Sequence, residues 1–479
     1  MRDLPSAPPG TTDELPPEPL SHSLKQRHLT MLGLGGVIGA GLFVGSGAGI
    51  TIAGPAIICS YLLAGILAML VMRALGEMSA AMPASGSFSV YAEKALGRWA
   101  GFSAGWLYWF LLVVVLAVEA TAAAKIANGW LPSVDQWVWV LVFMVVFTVC
   151  NLAAVRNFGE FEFWFAALKV GAIVLFLILG TLAVFGLLPP ASHYSGDPVG
   201  MANLTGQGGF FPNGASGVVA GMLAVVFAFG GLEVVTIAAA ESDDPARSVS
   251  RAVRSAVWRI LFFYVGSMLV IVTLLPWDSL TPGQSPYVAV LDSIGIAHAG
   301  QIMDVVIFVA LLSALNANLY GSSRMVFSLA ERGEAPRSLL KVSGSGVPRR
   351  AVFASVAFGF FSVVLNLLWP DTIFLYMLNA VGAVLIFVWA LIAVSQLKLR
   401  AKIERDMPER LTLPMWLFPY ATWAALIGMA TVLVLMLFDD SARPQLLWST
   451  GAAAAVLVVA WIREARSGRE GRETRAKRP

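Results

Sequence analysis

The sequence predicts an all-α membrane protein: twelve transmembrane helices in a five-plus-five inverted repeat, with discontinuous helices 1 and 6, plus two extra C-terminal helices. Three observations carry that expectation. Of the 479 residues, 58% are apolar and only 13% charged, more apolar side chains than a water-soluble core can hide. The apolar stretches are continuous and mostly exceed the ~20 residues a helix needs to cross the hydrocarbon. They lack the period-two alternation of a membrane β-barrel, which leaves helices as the structure that satisfies its own backbone in lipid. Finally, two of the stretches, five spans apart, are interrupted by glycine.

In chain order, residues 1–23 contain six prolines with Asp3, Asp13, Glu14 and Glu18. Such a segment has no apolar core to offset the entropy of ordering and is expected to be a disordered cytoplasmic tail. No charged region followed by a short apolar run precedes the first span, so that span itself is expected to direct insertion. The membrane domain is predicted over 24–462, with spans at 29–53, 55–81, 99–127, 134–155, 159–187, 214–240, 253–276, 298–331, 350–368, 372–398, 412–438 and 444–462. Spans one to five (about 29–187) form one repeat, spans six to ten (about 214–398) the other, and helices 11 and 12 (about 412–462) follow. Residues 463–479 carry Arg463, Arg466, Arg469, Arg472, Arg475, Lys477 and Arg478, a basic tail suited to contact with anionic lipid.

Basic residues set the orientation, because cytoplasmic loops are enriched in Lys and Arg. Lys94 and Arg98, Arg156, the Arg247/Arg251/Arg254 run, Arg332 to Arg350 and Lys398 to Arg410 all fall on one side, whereas the intervals 188–213 and 277–297 hold none. Only Lys125 and Arg443 lie near the opposite face. Both termini are therefore expected in the cytoplasm, and the chain in the cytoplasmic (inner) membrane as a multi-pass protein.

Eight glycines between Gly33 and Gly49 suit a helix that opens. Unwinding near Gly39, Ala40 and Gly41 leaves the N-terminus of an outer half-helix at mid-membrane, where free N–H groups and the positive dipole end attract a carboxylate. The second interruption, Phe229, Gly230 and Gly231, lies in a span of opposite direction, so its outer half ends with carbonyls that suit an ammonium group. Paired breaks of this kind, with donors at the first and acceptors plus Glu233 at the second, point to a transporter's substrate site matched to a zwitterion. Gly41, Gly45 and Gly49 also form a GxxxG ladder, which alone would read as close helix packing.

Ionisable residues deep in the membrane are costly and usually functional. Lys169 lies ten residues into span five, ~15 Å from its start; Glu119 lies eight residues from the end of span three, and Glu233 directly follows the second break. Arg73, Glu77, Glu160, Glu162, Glu241, Arg259 and Arg324 sit nearer span ends, where snorkelling or pairing between helices is expected.

Other classes fit poorly. There is no GxxxxGK[ST] phosphate loop and no GxGxxG. His22, His28, His193 and His298 lie in the tail or near span ends and suggest no catalytic cluster or metal site. Cys59 and Cys150 both fall in apolar spans, too few for a disulfide framework. A channel would need a continuous pore, which opposed broken helices do not favour.

The motifs GGVIGAGLFVG (35–45), GEMSAAMPASGSF (76–88), GRWAGFSAGWLYW (97–109) and GEFEFWFAALKV (159–170) resemble, in order and spacing, the amino acid permeases of the amino acid–polyamine–organocation superfamily, over roughly 24–462. EVVTIAAAESDDP (233–245) and SRMVFSLAERGEAP (323–336) are most similar to those of bacterial γ-aminobutyrate (GABA) permeases. Aromatic amino acid, proline and lysine permeases share the rest. The resemblance implies a secondary active transporter that imports a small zwitterionic amino acid, γ-aminobutyrate first among them, by proton symport with alternating access; the alternatives are a permease of the same family for another amino acid (proline, aromatic or basic) or a non-transporting amino acid sensor on the same fold. It implies main-chain binding of the substrate carboxylate at Gly39, Ala40 and Gly41, an amine end lined by Phe229, Gly230 and Gly231, and Phe229 as a candidate gate. Lys169, Glu119 and Glu233 match residues tied to proton coupling in relatives. No cofactor is implied beyond the proton as coupling ion, and no metal. The expected partners are the amino acid and the lipid bilayer, with no nucleic acid; the sequence leaves the oligomeric state open. The Pro-rich N-terminal segment and the basic tail exceed the family pattern, and Asn316 with Asn318 adds a polar face to span eight.

Overall fold

The computed structural model describes residues 38–82, 87–153, 158–188, 202–233, 245–280, 283–343, 346–438 and 443–476. The segment 1–23, the inner half of span one up to residue 37 and residues 234–240 of span six lie outside them. All regular elements among the described residues are helical.

Among the described residues, ten helices are long and apolar enough to cross a membrane. The first, Ala40–Ala81, has 42 residues, a rise of about 63 Å at 1.5 Å per residue and so about twice the hydrocarbon thickness. It holds the described outer part of span one and the whole of span two, divided at the turn Gly54–Ala56, where Gly54 takes φ +65°, a conformation that only glycine adopts without strain. With that division, and with the shorter apolar helix Gly214–Phe229, each of the twelve predicted spans finds its helix.

Burial sorts the spans. The apolar window of span three, Arg98–Trp130, is 83% buried within the protein, against 28% for spans four, five and eleven and 22% for span twelve. Span three is thus a central post, while the latter four turn side chains such as Trp164, Val149, Trp423 and Trp461 outward, as lipid-facing helices do.

Several elements depart from the sequence expectation. Helices Ser87–Leu96 and Pro286–Ser293 join spans two to three and seven to eight. Span seven begins at Pro245 and widens to a π-helix over Ile260–Val265 before continuing as Gly266–Leu274. Span eleven starts at Tyr420, and residues 411–419 before it are held instead by side chains of other spans. The Arg73 guanidinium donates to the Pro414 carbonyl (2.7 Å from Nη2) and stacks on Trp416. Glu77, expected to snorkel, is 1% exposed and accepts from Arg400, Gln396 and the Met415 N–H. Span twelve has no boundary at 462: its helix runs Arg443–Ala476, and Arg463 donates to the carbonyls of Gly333 and Glu334 at 2.7 Å.

Candidate functional site

The described part of span one begins with Gly39 in an extended conformation (φ −149°, ψ −146°) and turns helical at Ala40. The Gly39 carbonyl accepts from Leu42 and Phe43 at 3.2 Å, closing the first turn. Ala40 N–H, which lies in that turn, donates to both oxygens of Glu119 at 3.1 Å. Glu119, from the middle of span three, therefore caps the half-helix, a carboxylate at a positive dipole end. A Cβ on Gly39 would run into the same carboxylate, so glycine is what lets it approach.

The second break also falls where the glycines predict. Gly214–Val226 tightens into a 3₁₀ turn at Phe227–Phe229; Gly230 is extended (φ −59°, ψ 142°), and Gly231 takes φ +92°. Gly230 N–H donates to the Phe227 carbonyl at 3.0 Å, and Gly231 N–H to Glu233 Oε1 at 3.1 Å. Glu233 is buried, and its second oxygen has no hydrogen-bond partner among the described residues. Tyr108 of span three, Trp389 of span ten and Arg259 of span seven approach its carboxyl group.

The two breaks touch. A Cβ on Gly41 would lie 2.7 Å from Ala228 Cα and 2.8 Å from Phe227 Cδ1, so the backbones of spans one and six meet there. The ladder is a packing surface as well: Cβ atoms on Gly45 and Gly49 would meet Leu378 at 3.3 Å and Ile57 at 2.8 Å. Phe229 is fully buried, stacked on Tyr264 (centroids 5.0 Å, 16°) and edge-on to Tyr61 (6.1 Å).

Lys169 is fully buried, and its ammonium makes no hydrogen bond to a described residue. Its electrostatic neighbours are Glu119 and Glu162, the latter at 3.9 Å. Glu162 corrects the snorkelling expectation: it is 1% exposed and accepts from Ser313 Oγ of span eight at 3.0 Å. The reason lies in helical phase. Residues seven apart stand on one face, two turns separated, and a lysine side chain leans toward the helix N-terminus, so Lys169 reaches back to Glu162. Arg259 also departs from that expectation, at 2% exposed. In an α-helix, residues five apart point about 140° apart; the π-turn that begins just after Arg259 draws it and Tyr264 toward a common face. Glu241 lies outside the described residues.

The structure thus brings Gly39, Ala40, Gly41, Glu119, Lys169 and Glu162 into one connected group at the first break, and Phe229, Gly230, Gly231 and Glu233 into another at the second. The Gly41–Ala228 contact joins them.

Comparison with known proteins identifies relatives along most of the chain. The chain is 49% identical over 443 residues to the gamma-aminobutyric acid permease of Bacillus subtilis, covering 92% of this chain and 93% of that one. It is 50% identical over 432 residues to an aromatic amino acid transport protein of Corynebacterium glutamicum (89% and 92% covered), and 44% identical over 445 residues to the gamma-aminobutyric acid permease of Escherichia coli (92% and 94%). Among solved structures, a mutant of the manganese transporter of Eremococcus coleocola aligns over 91% of this chain with a TM-score of 0.53 at 14% identity, a likeness of fold. Residues 28–465 match the amino acid permease family. Broken helices in contact, a carboxylate on the half-helix and relatives of this closeness place one conclusion beyond the motifs alone: the chain belongs to the amino acid permease family, within the amino acid–polyamine–organocation superfamily.

Proposed function

We propose that this protein is a secondary active transporter, and no enzyme, that imports a small zwitterionic amino acid, γ-aminobutyrate first among them, across the cytoplasmic membrane by proton symport with alternating access. Both termini face the cytoplasm in this reading. The observation that carries it is the Glu119 carboxylate on the Ala40 N–H, with Lys169 as its electrostatic neighbour. Glu119 holds the donor that a substrate carboxylate would take, so the two compete for one helix end. A proton on Glu119 removes its charge, loosens that hold and admits the substrate. Lys169 and Glu162 extend the group of exchangeable protons away from the break. At the other break, Glu233 and the carbonyls around Phe229 and Gly230 take the amine end.

The γ-aminobutyrate assignment is supported by relatives from two bacteria bearing that name. An aromatic amino acid transport protein of similar identity favours the second reading, a permease for another amino acid. Uptake of radiolabelled γ-aminobutyrate into proteoliposomes, challenged with β-alanine, proline, lysine and phenylalanine, separates the two. Accumulation should collapse when the pH gradient is dissipated. Accumulation that survives refutes proton symport, and absence of saturable uptake for the whole panel refutes transport and leaves an amino acid sensor.

A further inference from the structure

Lys125 is one of two basic residues that the sequence leaves near the outer face, and nothing in the transport reading uses it. In the structure it lines a constricted cavity with Asp371, Gly283, Val44, Thr121 and Phe374. The free space is about 10 Å³, room for about one water and too little for an amino acid. Three separately anchored pieces meet around it: Lys125 on span three, Asp371 in the turn between spans nine and ten, and Gly283 in the segment between spans seven and eight.

The contacts at this mouth are specific. Asp371 lines the same cavity as the half-buried Lys125 and is an electrostatic neighbour of its ammonium. A Cβ on Gly283, whose φ is +83°, would run into that ammonium, so Gly283 stands directly against it. Below Asp371, Gln136 donates to Asn366 at 2.7 Å and Asn366 to Thr121 at 2.9 Å, tying spans three, four and nine into a fixed frame. At the floor stands Val44, the residue that interrupts span one between Ala40–Phe43 and Gly45–Ala53. Val44 follows Gly41 by three residues, so the constriction adjoins the first break.

We propose that Lys125 and Asp371 form the outer gate of the transport path. Shut, the pair holds the segment at Gly283 and the head of span ten over Val44. Open, each half of the pair faces the oppositely charged end of a passing zwitterion, so the gate favours cargo bearing both charges. The inference rests on the transport reading for the cargo alone; closure at Val44 is tested without any substrate.

With Cys59→Ser and Cys150→Ser as background, Val44→Cys is labelled by a membrane-impermeant maleimide applied to right-side-out membranes, with Ala122→Cys as a second reporter should Val44→Cys fold poorly. Lys125→Met and Asp371→Asn should each speed labelling about five-fold, the shift expected of an ion pair at a partly wet site. The exchange Lys125→Asp with Asp371→Lys should return the rate toward that of the parent. Unchanged rates in the single variants, an exchange no slower than the singles, or acceleration confined to inside-out membranes would each overturn the proposal. Loss of uptake with gated labelling intact would instead fault the transport reading.

Discussion

Lys169→Gln isolates the charge on which the proposed coupling depends. At 3.9 Å from Glu162 and an effective dielectric of about 20, the ammonium–carboxylate attraction is about 4 kcal/mol. Breaking such a buried pair by removing one partner typically costs about 3–5 kcal/mol. Glutamine is one atom shorter, keeps much of the packing and supplies no charge to Glu162 or Glu119. The loss should fall on coupling. In proteoliposomes with an inside-alkaline gradient of about one pH unit, worth 1.36 kcal/mol per proton, the parent should accumulate γ-aminobutyrate up to about ten-fold at one proton per substrate. Lys169→Gln should equilibrate near unity while retaining counterflow exchange, which needs binding and movement but no gradient. Accumulation by the variant equal to that of the parent would refute the role assigned to Lys169. Loss of counterflow together with accumulation would show a folding defect, which a thermal melt of the detergent-solubilised protein detects.

Gly41→Val inserts atoms where Ala228 backbone already stands at 2.7 Å from a Cβ, and overpacking of this kind costs about 1–3 kcal/mol; melting temperature and substrate affinity should fall together, and affinity lost at an unchanged melting temperature would return Gly41 to a direct ligand role. Glu233→Gln should flatten the pH profile of uptake, measured from pH 5 to 8; an unaltered profile moves the proton site to Glu119 or Lys169. Glu162→Gln keeps the acceptor for Ser313 but not the counter-charge for Lys169, so it should lower accumulation more than counterflow. Glu77→Ala leaves Arg400, Gln396 and the Met415 N–H facing an empty acceptor and should destabilise the fold by about 3 kcal/mol or more, read as a lower melting temperature with unchanged pH dependence of residual uptake.

The spans, the helix start at Ala40 and the interruption at Gly230 and Gly231 were legible from composition and glycine placement, because a bilayer demands long apolar helices and an interior interruption costs enough to need a reason. Depth identified Lys169, Glu119 and Glu233 as buried charges. Depth alone misplaced Glu162, although its seven-residue offset from Lys169 was available in the sequence. Glu77 could not be placed that way: its partners Gln396, Arg400 and Met415 lie more than 300 residues away, and no local pattern encodes such a meeting. Arg259 required knowledge of the π-turn, which shifts helical phase without a sequence signature. The part played by Gly41 was underdetermined for a different reason: openness to a ligand and closeness to a neighbour both call for the absence of a Cβ.

At Gly41 and Ala228 two main chains press together with no intervening side chain to deform or slide. Such a seam resists being pressed closer, so a tilt of one rod toward the other is passed on to it. In the proposed transport cycle the pair would swing together against the central post of span three, and the Glu119 contact on Ala40 would act as a brake applied from that post.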